Sequence, residues 1–321
     1  MPTSIDWSHC PPSSAALDQI ANAIEHGAVR RAFPRLIGEL DLRRRSLDPA
    51  AWRGFARGTF RQHALMASLR QDPFTRHAFD KPRGYAGDAE LIDYIYGYGD
   101  GIVLPPCTAR GRALYAAAME KVPCRAVRAR KTYLAGVLEQ LGRRQPGARV
   151  VSIASGHMRE VGASTACRAG AFQELVAFDQ DERSLAVVAR DYVGIDAVRT
   201  VAGRVRALLT GRLPLEGFDL AYSTGLFDYL NRRTARALTR RMFAMLRPGG
   251  ELVIANFSAG VSGVGYMEAC MDWHLVYRRE ADMLDLCGDL DAKAVAHARV
   301  ETDPATGGIL FLRVRRAEAQ P

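Results

Sequence analysis

Asp179 stands twenty-three positions after Gly156 within Arg149 to Asp181, a stretch reading RVVSIASGHMREVGASTACRAGAFQELVAFDQD. An acid at the tip of the second strand of an open α/β sheet can take the two hydroxyls of a ribose, while the turn after the first strand receives the rest of a nucleotide. The elements needed to hold such a pair are present. Two short apolar runs, Val150 to Ala154 and Leu175 to Phe178, flank a segment long enough for about four helical turns. Ser155 and Gly156 end the first run, where a glycine lets the backbone turn sharply and expose amides. This is a β-α-β unit with a nucleoside site. The plainer alternative is that Gly156 only ends a core strand and Asp179 only caps a helix.

What is missing narrows the nucleoside. A dinucleotide site needs the spacing GxGxxG, and this turn has one glycine; the phosphate loop ending in Gly-Lys-Ser/Thr is absent too. A cofactor with a ribose and no phosphate fits, and S-adenosylmethionine (SAM) is the common one. Ser155, Gly156, His157, Glu160, Asp179 and Gln180 are the candidate cofactor contacts, joined by Arg204 and Thr224 further on. His157 either orients a carboxylate or is a polar cap.

The 321 residues, 48% apolar and 25% charged, suit an ordinary globular chain of two domains, or of one large domain with an elaboration. No apolar run reaches the roughly 20 residues of a membrane span. Residues 1 to 13 read as a polar, proline-interrupted lead-in with no signal-peptide pattern, so a cytoplasmic protein is expected. Six cysteines (Cys10, Cys107, Cys124, Cys167, Cys270, Cys287) lack metal-ligand spacing, and no metal is expected. The net charge of +9 is concentrated before residue 147, with 22 Lys and Arg against 14 Asp and Glu, compared with 22 against 21 afterwards. A basic half can face an anionic substrate, an acidic carrier protein or nucleic acid, or be a solvated arginine-rich surface.

Helical spacing covers the first half: a helix from Ser14 stopping at Gly27, then Val29 to Arg45 and Pro49 to about Arg70. The loop Asp80 to Asp88, DKPRGYAGD, precedes a helix from Ala89 to Tyr96. It is either a lid or substrate clamp, with Tyr85 and Arg83 as its working groups, or a tight turn in which Asp88 caps that helix. Helices over Thr108 to Met119 and Pro123 to Leu141 follow. Beyond Asp181 come a helix to Tyr192, a strand Ala197 to Val201, a strand Phe218 to Thr224, a helix Arg232 to Leu246 and a strand Glu251 to Phe257. Two closing strands, Ala294 to Glu301 and Gly308 to Val314, are joined as a hairpin. The pattern predicts a mostly parallel sheet with one antiparallel strand.

From about 147 to 316 the chain resembles the class I SAM-dependent methyltransferases, on the glycine turn, Asp179, the Phe218-Asp219 strand and the Leu-Arg-Pro-Gly-Gly element after a helix. KPRGYAGDAELIDYIYG, GLFDYL and MDWHLVYR look like a bacterial branch that makes 3-hydroxypalmitic acid methyl ester, with some biosynthetic-cluster members, extending the resemblance back to about Lys81. It implies a Rossmann-like, seven-stranded α/β fold over 147–321 with a helical N-terminal cap over 1–146. The usual acid inside the first strand is replaced by Ser152, and the usual glycine positions read Ala154, Gly156 and Met158; Glu160 or a lid residue would replace the acid.

The resemblance implies methyl transfer to a small molecule, free or carrier-bound, in signal or secondary-metabolite biosynthesis. A carboxylate acceptor would need no base. Ser223, Thr224, Asp228 and Tyr229 should lie beside the sulfonium, with Tyr85, Tyr222 or Tyr229 offering ring faces. Trp273, His274 and Tyr277, on a helix after the fifth strand, either line an acceptor pocket or belong to the core. Similar enzymes cyclise SAM to azetidine-2-carboxylate and methylthioadenosine, which is a second reading, and a SAM-binding protein without chemistry is a third. A nucleic-acid substrate is disfavoured, since the fourth strand ends in Ser-Thr-Gly-Leu-Phe-Asp-Tyr and lacks Asn/Asp-Pro-Pro-aromatic.

Overall fold

The structure, a computed structural model, describes residues 14–100, 102–211 and 213–319; the lead-in over 1–13, with Cys10, lies outside the described residues. In chain order the first helices are α1 (Ser14–Glu25), α2 (Val29–Ser46), α3 (Pro49–Gly54), α4 (Leu65–Leu69), α5 (Pro73–Asp80), α6 (Ala89–Tyr96), α7 (Ala109–Met119) and α8 (Val122–Arg144). Their starts are written locally. Asp48 and Asp72 each precede a proline, which needs no amide partner at a first helical position, and each accepts two amide hydrogens from the turn that follows. Asp88 caps α6 by accepting from Leu91, so the turn reading of the 80–88 loop holds as geometry. The expected helix from Pro49 to Arg70 is instead α3, a π-helical turn (Phe55–Phe60) and α4, with a non-helical step between the last two.

The sheet alternates with β1 (Ala148–Ile153), α9 (Arg159–Ala163), α10 (Thr165–Arg168), β2 (Phe172–Asp179), α11 (Glu182–Asp191), β3 (Val198–Ala202), α12 (Val205–Leu209), β4 (Phe218–Ser223), α13 (Arg232–Ala244), β5 (Leu246–Phe257), α14 (Val264–Cys270), α15 (Glu280–Asp285), β6 (Val295–Thr302) and β7 (Ile309–Arg316). The strand order is β3-β2-β1-β4-β5-β7-β6, and only β7 runs against its neighbours. This is the Rossmann-like methyltransferase fold that the resemblance implied. Val150, Val151, Leu175, Val176, Leu252 and Val253 are all 0% exposed, as parallel strands covered on both faces must be. Each such side chain contributes about 1.5–3 kcal/mol by burial. The β1–β2 crossover is two short helices, not one of four turns: Ser164 is extended between them and its hydroxyl caps α10 through the Cys167 amide.

Contacts divide the chain into two compact units, at Cys124 where the sequence suggested 146. The sheet unit takes Arg125–Val261 and Leu275–Pro321, because α8 from Arg125 onward belongs with the strands: Tyr133 stacks on Phe311 at 3.8 Å and bonds to Glu301, and Gln145 donates to Asp219 at 2.6 Å. The helical unit is the described part of Met1–Cys124 together with Ser262–His274. That returning segment is tied in by polar groups. Both Asp41 oxygens accept amides, from Gly263 at 2.7 Å and Gly265 at 2.8 Å. Glu268 accepts the Trp52 indole N–H at 2.6 Å and pairs with Arg44 at 2.9 Å, and Tyr266 shares a 2.7 Å hydrogen bond with Thr75. A side chain at Gly265 would run into the Leu40 backbone at 2.5 Å, so this approach needs glycine.

Candidate functional site in the sheet unit

The order of the strands reverses between β1 and β4, and in open α/β sheets the crevice outside the carboxyl ends at such a point is where ligands bind. Ser155, Gly156, His157 and Glu160 follow β1, Asp179 ends β2 with Gln180 after it, Arg204 follows β3, and Ser223, Thr224, Asp228 and Tyr229 end or follow β4. The fold brings all of these to one edge.

The turn after β1 has an unusual backbone. Ala154, Gly156 and Met158 have φ of 54°, 53° and 47°, so the positions where the related motif has glycines keep the left-handed conformation even where the residue is alanine or methionine. Each non-glycine costs about 1–2 kcal/mol in that region. Strain of this kind persists where the surroundings fix it, and such places are often functional. The fixing contacts are visible: the amides of Ser155, Gly156 and Met158 donate to Phe178 O, to the Asp179 carboxylate at 2.8 Å and to Ser155 O, and Tyr192 donates its hydroxyl to Met158 O. Those amides are therefore engaged within the protein.

Asp179 links the turn to β2. One carboxylate oxygen accepts from Gly156 and the other from the Asp181 amide at 2.9 Å. Burial pushes its carboxyl above the ordinary value, against the pull of those amides. Each oxygen retains acceptor capacity beyond one hydrogen bond, as a ribose diol requires. Gln180 and Arg204 are exposed, and His157 is buried.

Glu160 is buried on α9 and accepts the Tyr222 hydroxyl at 2.7 Å; that hydroxyl also bonds to Ser152. Burial raises the Glu160 carboxyl and, with Glu160 beside it, raises the Tyr222 phenol. A carboxylate is thus kept near the serine that replaces the usual strand acid, supplied from the helix. At the end of β4, Ser223 is 0% exposed and its Oγ has no hydrogen-bond partner among the described residues. Asp228 is buried and accepts the Phe257 amide at 2.7 Å, while its carbonyl accepts the Val276 amide at 2.6 Å. Burial pushes its carboxyl up to about 6. Arg278, donating to Phe227 O, Leu230 O and Asn256, joins the same network, so GLFDYL and MDWHLVYR meet around Asp228. Tyr229 is 38% exposed. This edge thus offers acceptor capacity on Asp179, a buried Ser223 hydroxyl without a partner among the described residues, and buried carboxyls on Glu160 and Asp228, groups of the kind a nucleoside with a cationic end would need.

Tyr85 and His274 belong to the helical unit. There Asp272, with φ of 49°, accepts from Arg61 at 2.7 Å, from Lys81, itself at φ 51°, and lies 3.2 Å from His274 Nε2. Burial opposes ionisation of Asp272, but the Lys81 and Arg61 bonds hold its carboxyl well below the ordinary range. Residues 271–279 are not helical, contrary to the expectation for Trp273, His274 and Tyr277; Trp273 is buried. The residue that sequence reasoning missed is Arg130, buried on α8, whose guanidinium donates to Thr224 O. An arginine on a long helix gives no local signal of burial.

No family model matches the chain, and no curated protein does. Among solved structures, it is similar to a protein described as a possible exported protein from Bordetella parapertussis, 20% identical, covering 85% of this chain and 100% of that one with a TM-score of 0.57. At that identity the likeness establishes the fold. It is also similar to N-methyltransferase NodS from Bradyrhizobium japonicum WM9 in complex with S-adenosylhomocysteine (20% identity, 60% and 88% covered, TM-score 0.44). Magnesium protoporphyrin IX methyltransferase from Synechocystis PCC 6803 is similar as well (12% identity, 71% and 99% covered, TM-score 0.46). At those scores neither bears on activity. No helix among the described residues is long and apolar enough to cross a membrane, and no group of His, Cys, Asp and Glu among them could hold a metal ion.

Proposed function

We propose that this chain is a SAM-dependent methyltransferase acting on a small molecule. The observation that carries the reading is the Asp179 carboxylate, buried at the tip of β2 and bonded to a left-handed turn after β1, at the edge where the strand order reverses. When bound, SAM supplies a methyl group already activated by the sulfonium charge. The protein's part is to hold and orient. Asp179, with Gln180 next to it in sequence and Arg204 after the neighbouring strand β3, takes the ribose; Glu160, fixed by Tyr222, takes the ammonium; Ser155, Gly156 and His157 form the floor. Ser223, Thr224, Asp228 and Tyr229 are proposed to serve the acceptor side. Asp228 has one oxygen committed to Phe257, so a proton-accepting role falls to the other. A carboxylate acceptor, giving a methyl ester in signal or secondary-metabolite biosynthesis, would need no such role.

A second reading, cyclisation of SAM to azetidine-2-carboxylate with release of methylthioadenosine, is favoured by one observation. Glu160 is a buried carboxyl with a raised pKa, suited to take a proton from an ammonium so that the amine can attack. Incubation with SAM alone, and then with small carboxylates, followed by mass spectrometry separates the two. S-adenosylhomocysteine with a methylated acceptor supports methyl transfer. Methylthioadenosine with a new amino acid replaces it by the cyclase reading, and binding without either product would leave a non-catalytic SAM protein.

A further inference from the structure

In the helical unit, α2 buries Val29, Ala32, Phe33, Leu36 and Leu40 and turns its opposite face to solvent. On that outer face Arg31, Arg35, Gly38, Leu42 and Arg45, all exposed, follow one another at alternating steps of four and three residues. Such spacing keeps side chains in one narrow stripe, here about 21 Å long at 1.5 Å per residue. No acid answers it. The two acids of α2 are engaged elsewhere, Glu39 by Arg43 at 2.6 Å and Asp41 by the amides of Gly263 and Gly265. Among the described residues, Arg31, Arg35 and Arg45 take part in no ion pair. Exposed arginines of the sheet unit show the other habit: Arg190 pairs with Asp191, Arg232 with Asp285 and Arg299 with Glu301.

Two placements on α2 run against the stability of the helix itself. Its first turn holds Arg30 and Arg31 and no acid, at the end where the helix dipole favours negative charge. Gly38 sits in mid-helix, where glycine is less stable than alanine, yet a side-chain carbon added there would meet nothing within 4 Å. The packing of the chain does not ask for glycine at this position. A bare position between arginines, with Leu42, 55% exposed, one turn further on, is what a second helix needs in order to cross closely. We propose that the outer face of α2 docks an acidic amphipathic helix of a partner protein. The partner's backbone crosses at Gly38, an apolar side chain covers Leu42, and carboxylates meet the planar forks of Arg31, Arg35 and Arg45. A single-stranded nucleic acid would call for aromatic rings on which bases stack, and the stripe has none. The proposal stands on the helical unit and is independent of the SAM reading.

The test is fluorescence anisotropy of three labelled probes titrated with the full chain: a synthetic helical peptide with a glutamate stripe beside a leucine row, a scrambled peptide of the same composition, and a single-stranded RNA oligonucleotide. The patterned peptide should bind at least about tenfold more tightly than the scrambled one, since only it can present both groups on one face. Reversing two charges together, Arg35→Glu with Arg45→Glu, should weaken it by about tenfold or more. Gly38→Gln keeps every charge and favours the helix, so it should leave the melting temperature unchanged or higher while weakening the patterned peptide by a similar factor. No binding of the patterned peptide, equal binding of both peptides, or tighter binding of the RNA would overturn the proposal. Full affinity in Gly38→Gln would overturn it too, since attraction by charge alone does not need the bare position.

Discussion

The returning segment 262–274 in the helical unit and the carboxyl edge of the sheet unit both bury polar groups, with opposite outcomes. In the segment, acids and donors satisfy one another: Asp41 with two amides, Glu268 with Trp52 and Arg44, Thr75 with Tyr266. At the sheet edge, burial raises the carboxyls of Glu160, Asp179 and Asp228, two non-glycine residues are left-handed, and Ser223 Oγ is buried without a partner among the described residues. The first arrangement serves stability. The second holds unspent interaction capacity, which is what a binding site needs, and it pays in strain.

Substitutions should separate the two. Asp41→Ala removes the acceptor of two buried amides, and at about 1–3 kcal/mol for each unsatisfied group it should lower stability by roughly 2–6 kcal/mol in denaturant titration. An unchanged midpoint would show that the segment is not held by that acid.

Each unit also has a carboxyl pushed up to about 6, Asp72 in the helical unit and Asp228 in the sheet unit. An acid with a folded pKa above its unfolded value holds more protons folded than unfolded between the two. Stability should therefore fall as pH rises from about 4 to about 6 and level off above, by on the order of 3 kcal/mol per site. Asp72→Asn should remove one share, so its stability relative to the unaltered protein should improve with pH across that window. A pH-independent difference would contradict the assignment.

Asp179→Ala should weaken SAM binding by about 1.5–3 kcal/mol per lost charge-assisted bond. Because Asp179 also holds the Gly156 amide, some stability should go with it. Smallest in stability are two changes at the strained edge. Ser223→Ala, which removes a hydroxyl that bonds to nothing among the described residues, should change the unfolding free energy by no more than about 1 kcal/mol while lowering turnover; a large loss of stability would place Ser223 with the scaffold. Ala154→Gly should relieve about 1 kcal/mol of backbone strain, offset in part by the freer unfolded chain.

The parts of the fold that were legible in the sequence are those written locally. Apolar runs marked the strands, Asp88 and Asp181 announced the helices they cap, and β7 followed from the hairpin-like Asp303 to Gly308 connection. The return of 262–274 to the helical unit was not legible, because its anchors pair residues more than two hundred positions apart. Nor was the break at Ser164, where a single serine both ends one short helix and caps the next. At the candidate site, Asp179 and Glu160 were candidates by their position after the strands, whereas the left-handed Ala154 and Met158 run against propensity and the buried Arg130 looks in sequence like any solvated helix arginine.

The most direct test of the central claim is a calorimetric titration of SAM into the purified chain, paired with Asp179→Ala. Saturable binding at one site, weakened by about tenfold or more in the variant, is the predicted result. No binding to the unaltered protein, or the same affinity in both, would contradict the assignment of the sheet edge as a SAM site.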